Sequence, residues 1–363
     1  RALRRQRPGA VVVMSVWTET GREVALASGA DGAFYLPIDF PWVIRRALRA
    51  LRPALICSVD TELWPNLVAY GRRSGARVAL ANGRISDRSL RRIRNTRLHW
   101  FYRPMTASVE RLLMQTPLDA ERILELGGRP EAVQVCGNVK FDEEFPVVDA
   151  ARLAHWRGLL GLDPAAPVLL AGSTTHGEDE LLVEVYRRLR KRHPEARLVL
   201  VPRGVETAPA IAAIVRGLGE PTVLRSQLPG RSAESRAEGA VIVVDTLGEL
   251  SELYAVATVA FVGRTLMPKG GSNVLQPAAQ GKPVVVGPHV SNFRESVALL
   301  QQAGVLWQVT DADQLAERVL ALVDDRATLA AVNERARAAV EANRGAAART
   351  VAALLELLDG RPV

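Results

Sequence analysis

One pattern limits what this chain can become more than any other. Short apolar runs, mostly β-branched, recur along it without polar alternation, and stretches with helical spacing separate them. The runs are Val11–Val16, Ala54–Val59, Arg77–Ala81, Leu112–Thr116 and Val133–Gly137, then Val168–Gly172, Arg197–Pro202, Val241–Asp245, Thr258–Gly263, Pro283–Gly287 and Val305–Val309. A strand with one face in the core alternates. A strand buried on both faces does not, and such strands form parallel sheets with helices on either side. Segments such as Glu178–His193 and Gln314–Val323 supply helices. Repeated strand–helix units impose right-handed crossovers and a doubly wound α/β sheet.

The 363 residues suffice for about two domains of this kind. A proline-bearing change in composition places the boundary. Residues 1–145 form a first Rossmann-like domain, 146–166 a linker, 167–345 a second Rossmann-like domain, and 346–363 a C-terminal helix and tail. The two domains are expected to face each other across a cleft, with ligands at the carboxyl ends of the strands. With 48% hydrophobic and 24% charged residues, the chain is neither disordered nor collagenous nor a disulfide-stapled miniprotein. Cys57 and Cys136 each sit in an apolar run without metal-ligand spacing and read as buried thiols. No run reaches the roughly 18 apolar residues of a membrane span. The chain begins at Arg1 and enters a strand almost at once, so an upstream segment is expected to be missing.

Charge is divided unevenly. Residues 1–145 hold 23 Lys/Arg against 15 Asp/Glu, and the remainder holds 24 of each, so the whole net +8 lies in the first part. That part is expected to meet something anionic: nucleic acid, an acidic membrane or a phosphorylated substrate. Arg84 to Arg103 holds seven arginines, with only Asp87 opposing them locally. Val43 to Arg52 reads as a basic amphipathic helix with Ile44, Ala47, Leu48 and Leu51 on one face.

Three strand-to-helix junctions suit an anion. Gly172-Ser173-Thr174-Thr175 places three hydroxyls where a helix should open. Asp245-Thr246-Leu247-Gly248-Glu249 offers a close backbone approach at Gly248, with Thr246 and Glu249 spaced as a capping box. Gly270-Gly271-Ser272-Asn273-Val274-Leu275-Gln276 puts Asn273 and Gln276 one turn apart, a spacing that can grip a ribose. Arg203 ends one strand with a cation, and Glu62 and Lys140 follow two others. The histidines show no metal-binding spacing, and neither a nucleophile elbow nor a P-loop is present.

Several strings, taken in order, resemble one family. They are Tyr35-Leu36-Pro37, Thr61-Glu62-Leu63-Trp64-Pro65-Asn66-Leu67, Ala81-Asn82-Gly83-Arg84-Ile85-Ser86, Gly137-Asn138-Val139-Lys140-Phe141-Asp142, Val201-Pro202-Arg203, Asp245-Thr246-Leu247-Gly248-Glu249-Leu250 and Gly287-Pro288-His289. The family is that of the Kdo transferases, which move 3-deoxy-D-manno-octulosonic acid from CMP-Kdo to the lipid A precursor, lipid IVA, in lipopolysaccharide core synthesis. The resemblance implies a GT-B fold, inverting transfer, and no metal or cofactor. It implies that Ser173, Thr174, Pro202, Arg203, Leu247, Gly248, Glu249, Asn273, Val274, Leu275 and Gln276 meet the CMP moiety. It also implies that Glu62 and Lys140 stabilise the transition state. The family's base, a glutamate, lies upstream of these residues, so the chain as it stands is expected to lack it. Ser272 and Gln276 stand where the family has His and Glu.

The expected partners are the CMP-sugar donor, the lipid A precursor and an anionic membrane surface, not nucleic acid. Arg88, Arg91, Arg92, Arg94 and Arg97 are expected to serve the acceptor and the membrane, on the cytoplasmic side of the inner membrane. The attachment is peripheral or through an N-terminal anchor. Two other readings remain at this point. One is a GT-B enzyme using a UDP-sugar, either a glycosyltransferase or an epimerase. The other is a basic nucleic-acid-binding protein, for which no recognition motif is present.

Overall fold

A computed structural model describes residues 2–96, 98–230 and 241–360. The chain divides into two compact units. The first comprises Arg1–Glu143 with Asn343–Val363, and the second Glu144–Ala342.

In the second unit seven parallel strands form one sheet. They are β7 (Val168–Thr174), β8 (Arg197–Pro202), β9 (Thr222–Leu224), β10 (Val241–Val243), β11 (Val259–Val262), β12 (Val284–Val286) and β13 (Leu306–Gln308), in spatial order 13-12-11-7-8-10-9. The residues of β7, β8, β10, β11 and β12 are buried throughout, as unalternated runs require. One face carries a core of Leu182, Tyr186, Leu198, Phe261 and Leu315 beneath the helices Glu178–Arg192, Ala208–Gly217 and Ala312–Asp324. The other carries Trp156, Leu160, Leu170, Val199 and Tyr254. Trp156 and Leu160 belong to a helix, Ala150–Leu160, within the stretch expected to be a linker. Asp149 caps it by accepting from the Arg152 amide, and Gly161 ends it at φ 63°. Its prolines flank the helix, and an i, i+4 apolar pair drives it onto the sheet.

The first unit holds two parallel sheets rather than one. β1 (Val13–Val16) pairs with β2 (Gly32–Tyr35), and β3 (Leu55–Val59), β4 (Arg77–Gly83), β5 (Arg111–Met114) and β6 (Val133–Val135) follow in that order. Buried strands are confined to the centre, at β4 and β5; edge strands β3 and β6 are half exposed. Cys57, on β3, is accordingly exposed, while Cys136 is buried as expected. The Ala-rich tail divides at Gly345 (φ 89°) into helices Arg326–Ala342 and Ala346–Leu358. The second is not a free tail. Ala353, Leu354 and Leu357 pack on Ala79, Leu113 and Cys136 of the first unit. The basic helix is present at Pro41–Leu51, where Ile44 and Leu48 are buried, but Leu51, assigned to its apolar face, is 45% exposed.

Among the described residues no helix is long and apolar enough to cross a membrane.

Candidate functional site

Sheet order locates the first site. From β7 the chain winds one way through β8 to β10 and β9, and the other way through β11 to β13. The reversal between β7 and β11 is a topological switch point, where doubly wound folds bind ligands at the strand carboxyl ends. The backbone there is tight. Ser173 on β7 and Arg264 after β11 both take left-handed φ, 57° and 64°. A Cβ on Gly263 would lie 2.5 Å from the Ser173 carbonyl oxygen. Left-handed non-glycine residues are strained and cluster at functional sites.

The sequence-assigned residues of the second unit gather around this point. Thr174 and Pro202 are paired across β7 and β8, and the Arg203 amide donates to the Thr174 carbonyl at 3.0 Å. Arg203 is exposed, and among the described residues nothing bonds or pairs with its guanidinium. Ser173 and Thr174 complete strand β7 instead of opening a helix. The helix begins after Gly177, at Glu178. The expected capping box is likewise absent. The Thr246 hydroxyl donates to the Glu249 carboxylate, Arg225 donates to the other oxygen at 2.7 Å, and a one-turn helix, Leu250–Leu253, starts only after Glu249. Arg225, which lies over the Trp156 ring and fixes Glu249, has no motif to announce it in the sequence. Gly248 (φ 82°) and Leu247, 81% exposed, leave the turn before Glu249 open.

Gly270 and Gly271 both take φ 85°, a turn that a side chain would strain. Asn273 accepts from the Leu275 amide at 3.0 Å and so opens the helix Leu275–Ala279. Val274 and Leu275 have buried side chains, so only their backbone is available to a ligand. Ser272 and Gln276 occupy the same turn, Gln276 partly exposed. Asp179 is buried at the start of the helix after β7, and burial pushes its carboxyl up to about 6.

In the first unit Glu62 and Lys140 follow β3 and β6. One residue organises both turns. Asn82 (φ 53°) donates to the Asp60 carboxylate at 2.7 Å, accepts from the Val139 amide at 3.1 Å, and through its carbonyl accepts from Gln115 at 2.8 Å. Glu62 is exposed and accepts from the Trp64 indole at 2.8 Å. Asn138 caps the Lys140 turn, and the Asp142 carboxylate accepts from the Gly345 and Ala347 amides of the C-terminal helix.

The arginine cluster is only partly open. The helix Asp87–Arg94 buries Leu90 and Ile93 and turns Arg88, Arg91 and Arg92 outward. Arg94, by contrast, is held by both oxygens of Glu125 at 2.5 Å, an acid invisible to local sequence reading. Arg91 and Arg94 line a groove of about 480 Å³ with Leu118 and Glu121. Arg97 lies outside the described residues. At the start of the basic helix, Phe40 and Trp42 stack with centroids 4.9 Å apart, and Trp42 is 67% exposed. Among the described residues no group of three or more His, Cys, Asp or Glu side chains is placed to hold a metal.

Comparison with solved structures gives the class. A glycosyltransferase from Rickettsia africae superposes with a TM-score of 0.61 at 13% identity, covering 99% of this chain and 92% of that one. An enzyme titled a UDP-N-acetylglucosamine 2-epimerase from Listeria monocytogenes gives 0.59 at 15% identity, covering 98% and 99%. At such identities the likeness is one of fold. Two parallel α/β units, the second with polar loops gathered at its switch point, give the chain a GT-B fold.

Sequence relatives narrow the class. The model of the 3-deoxy-D-manno-octulosonic-acid transferase family matches residues 1–143, and that of glycosyl transferases group 1 matches 178–339. A 3-deoxy-D-manno-octulosonic acid transferase of Haemophilus influenzae is 31% identical over 99% of this chain and 82% of that protein. The protein of the same name from Bordetella pertussis is 34% identical over 96% and 82%. The chain belongs to the 3-deoxy-D-manno-octulosonic acid transferase family.

Proposed function

We propose that this chain, completed by the family's upstream glutamate as the base that takes the acceptor proton, transfers Kdo from CMP-Kdo to the lipid A precursor, with inversion and without a metal or cofactor, at the cytoplasmic face of the inner membrane. The observation that supports the reading is the placement of Ser173 at the end of β7, and of Arg203, Gly248 and Asn273 on loops at the carboxyl ends of neighbouring strands about the switch point, in a chain of this family.

Cleaving the sugar–phosphate bond leaves negative charge on CMP. Arg203, exposed and unpaired among the described residues, is suited to neutralise it at the phosphate, and amide groups of the open glycine turns supply further donors. Asn273 and Gln276 are neutral partners for the ribose hydroxyls. In the first unit Lys140 brings a second cation to the departing phosphate. Glu62, steadied by Trp64, stabilises positive charge developing at the sugar's anomeric carbon. Arg88, Arg91 and Arg92, with Trp42 and the basic helix Pro41–Leu51, meet the phosphates of the acceptor and an anionic lipid surface.

Calorimetric titration with CMP and with UDP tests the donor. CMP is expected to bind and UDP to bind more weakly. Preference for UDP would return the chain to the UDP-sugar enzymes whose fold it shares.

A further inference from the structure

The first residue of the helix after β7 carries more of the structure than its place in the sequence suggests. Glu178 follows the Thr175–Gly177 loop and is 0% exposed. Its carboxylate accepts four backbone N–H groups. Oε2 takes Thr175 at 3.0 Å and Arg264 at 2.7 Å; Oε1 takes Thr265 at 2.9 Å and Leu266 at 3.0 Å. Three of these amides belong to the segment after β11, more than 80 residues away in the chain.

That segment is the root of the glycine turn. The Arg264 carbonyl accepts from the Gly271 amide at 2.8 Å, and the Thr265 carbonyl accepts from His289 at 2.9 Å. The Thr265 hydroxyl donates to Val262 and accepts from the Gly287 amide at 2.8 Å. A Cβ on Gly287 would lie 2.3 Å from the Thr265 carbonyl oxygen, so the three loops fit without slack. One buried carboxylate therefore ties the loop after β7 to the loop after β11, which in turn bonds the loop after β12 through Thr265. It also holds Arg264 in its left-handed conformation.

We propose that Glu178 is a positioning residue for the donor. Its carboxylate holds the root of the Gly270–Asn273 turn in the shape that receives the cytidine nucleotide, without touching the nucleotide itself. The chemistry demands a carboxylate. Two oxygens with several lone pairs satisfy four N–H groups, whereas an amide offers one oxygen and turns an NH₂ group against two of them. Buried N–H groups left without acceptors force the loop to rearrange. The inference rests on the CMP-sugar reading above.

The test is CMP titration of the full chain and of Glu178→Gln, with donor and acceptor KM measured where turnover is present. The variant is expected to bind CMP about tenfold more weakly or worse and to raise donor KM, with acceptor KM unchanged. Unchanged CMP affinity in the folded variant, whatever its melting temperature, would reduce Glu178 to a purely structural residue and overturn the proposal. Should Glu178→Gln fail to fold, Glu178→Asp, which keeps both oxygens but shortens their reach, is read in the same way. Amide hydrogen exchange in the wild-type chain is independent of either variant. Arg264, Thr265 and Leu266 are expected to exchange slowly, and fast exchange there defeats the inference. Failure of the wild-type chain to bind CMP counts against the donor reading, and the exchange measurement still decides whether the knot exists.

Discussion

Arg203 and Asp179 lie near the same strand ends and illustrate opposite uses of charge. Arg203 is exposed and uncommitted among the described residues, so its charge is available to a ligand. Arg203→Ala is expected to weaken CMP binding by about tenfold to a hundredfold, the value of one charge-assisted contact to phosphate. In a form that carries the upstream base, Glu62→Ala is expected to leave CMP binding intact and to remove turnover. Wild-type turnover in that variant would end the role proposed for Glu62. Asp179 is 1% exposed, and burial raises its carboxyl from 3.8 to about 6. A folded-state pKa above the unfolded one means the native chain binds more protons between about pH 4 and 6. The stability gained by protonation is full below about 3.8 and is lost as pH rises through about 6. At pH 7.5 the chain therefore carries a buried ionised carboxylate, and Asp179→Asn is expected to stabilise it by on the order of 1–3 kcal/mol. Urea midpoints of both forms at pH 4 and 7.5 check this; a variant that tracks the parent at both values refutes it. Arg203 and Glu62 are legible in the sequence because a charged residue directly after an apolar run has a predictable place. Glu178 is not, because its role depends on where amides from a distant loop converge.

At the scale of elements, the unalternated runs identified most strands, but burial on both faces holds only for the central ones: β1, β3 and β6 arise from such runs and are exposed or half exposed. Two strands escaped. Gly32–Tyr35 lacks β-branched residues, and Thr222–Leu224 has only Val223 and Leu224 as an apolar run, between Thr222 and Arg225. The fate of the C-terminal segment was also illegible. Its helical propensity is plain, but the acid that receives it, Asp142, lies about 200 residues earlier. Gly345 gives the helix Ala346–Leu358 no capping side chain of its own, and Asp142 supplies the missing acceptor. Because Asp142 belongs to the Lys140 turn, the last helix and a proposed catalytic cation share one anchor. Asp142→Ala is expected to cost about 1–2 kcal/mol in stability, the range for a lost helix cap. It is also expected to lower kcat while sparing CMP affinity, since the donor loops belong to the other unit. Calorimetric unfolding and a kcat measurement on the same preparation read both effects. A stability loss without a fall in kcat would separate the cap from the lysine.

Over the whole molecule, the structure sharpens the charge division found along the chain. Assigning the last residues to the unit they pack on gives the first unit 26 Lys/Arg against 16 Asp/Glu, and leaves the second with 21 against 23. One unit is strongly basic and the other slightly acidic, so any anionic surface should attract the first far more than the second. Not every arginine contributes equally. Arg94 is already neutralised by Glu125, whereas Arg88, Arg91 and Arg92 point outward without partners among the described residues. At about 1 kcal/mol for each cation near an anionic leaflet, replacing those three with glutamine is expected to weaken partitioning onto phosphatidylglycerol vesicles by on the order of a hundredfold. Arg94→Gln is expected to change it several-fold less than Arg91→Gln, because the Arg94 guanidinium is held by both Glu125 oxygens and is not free to meet lipid phosphates. Partitioning should fall as salt shortens the screening length to below about 8 Å. Vesicle co-sedimentation across a salt series reads all three effects. Equal losses from Arg91→Gln and Arg94→Gln would mean that net charge alone, not the outward-facing arginines, governs attachment, and salt-independent partitioning would assign it to Phe40 and Trp42 instead.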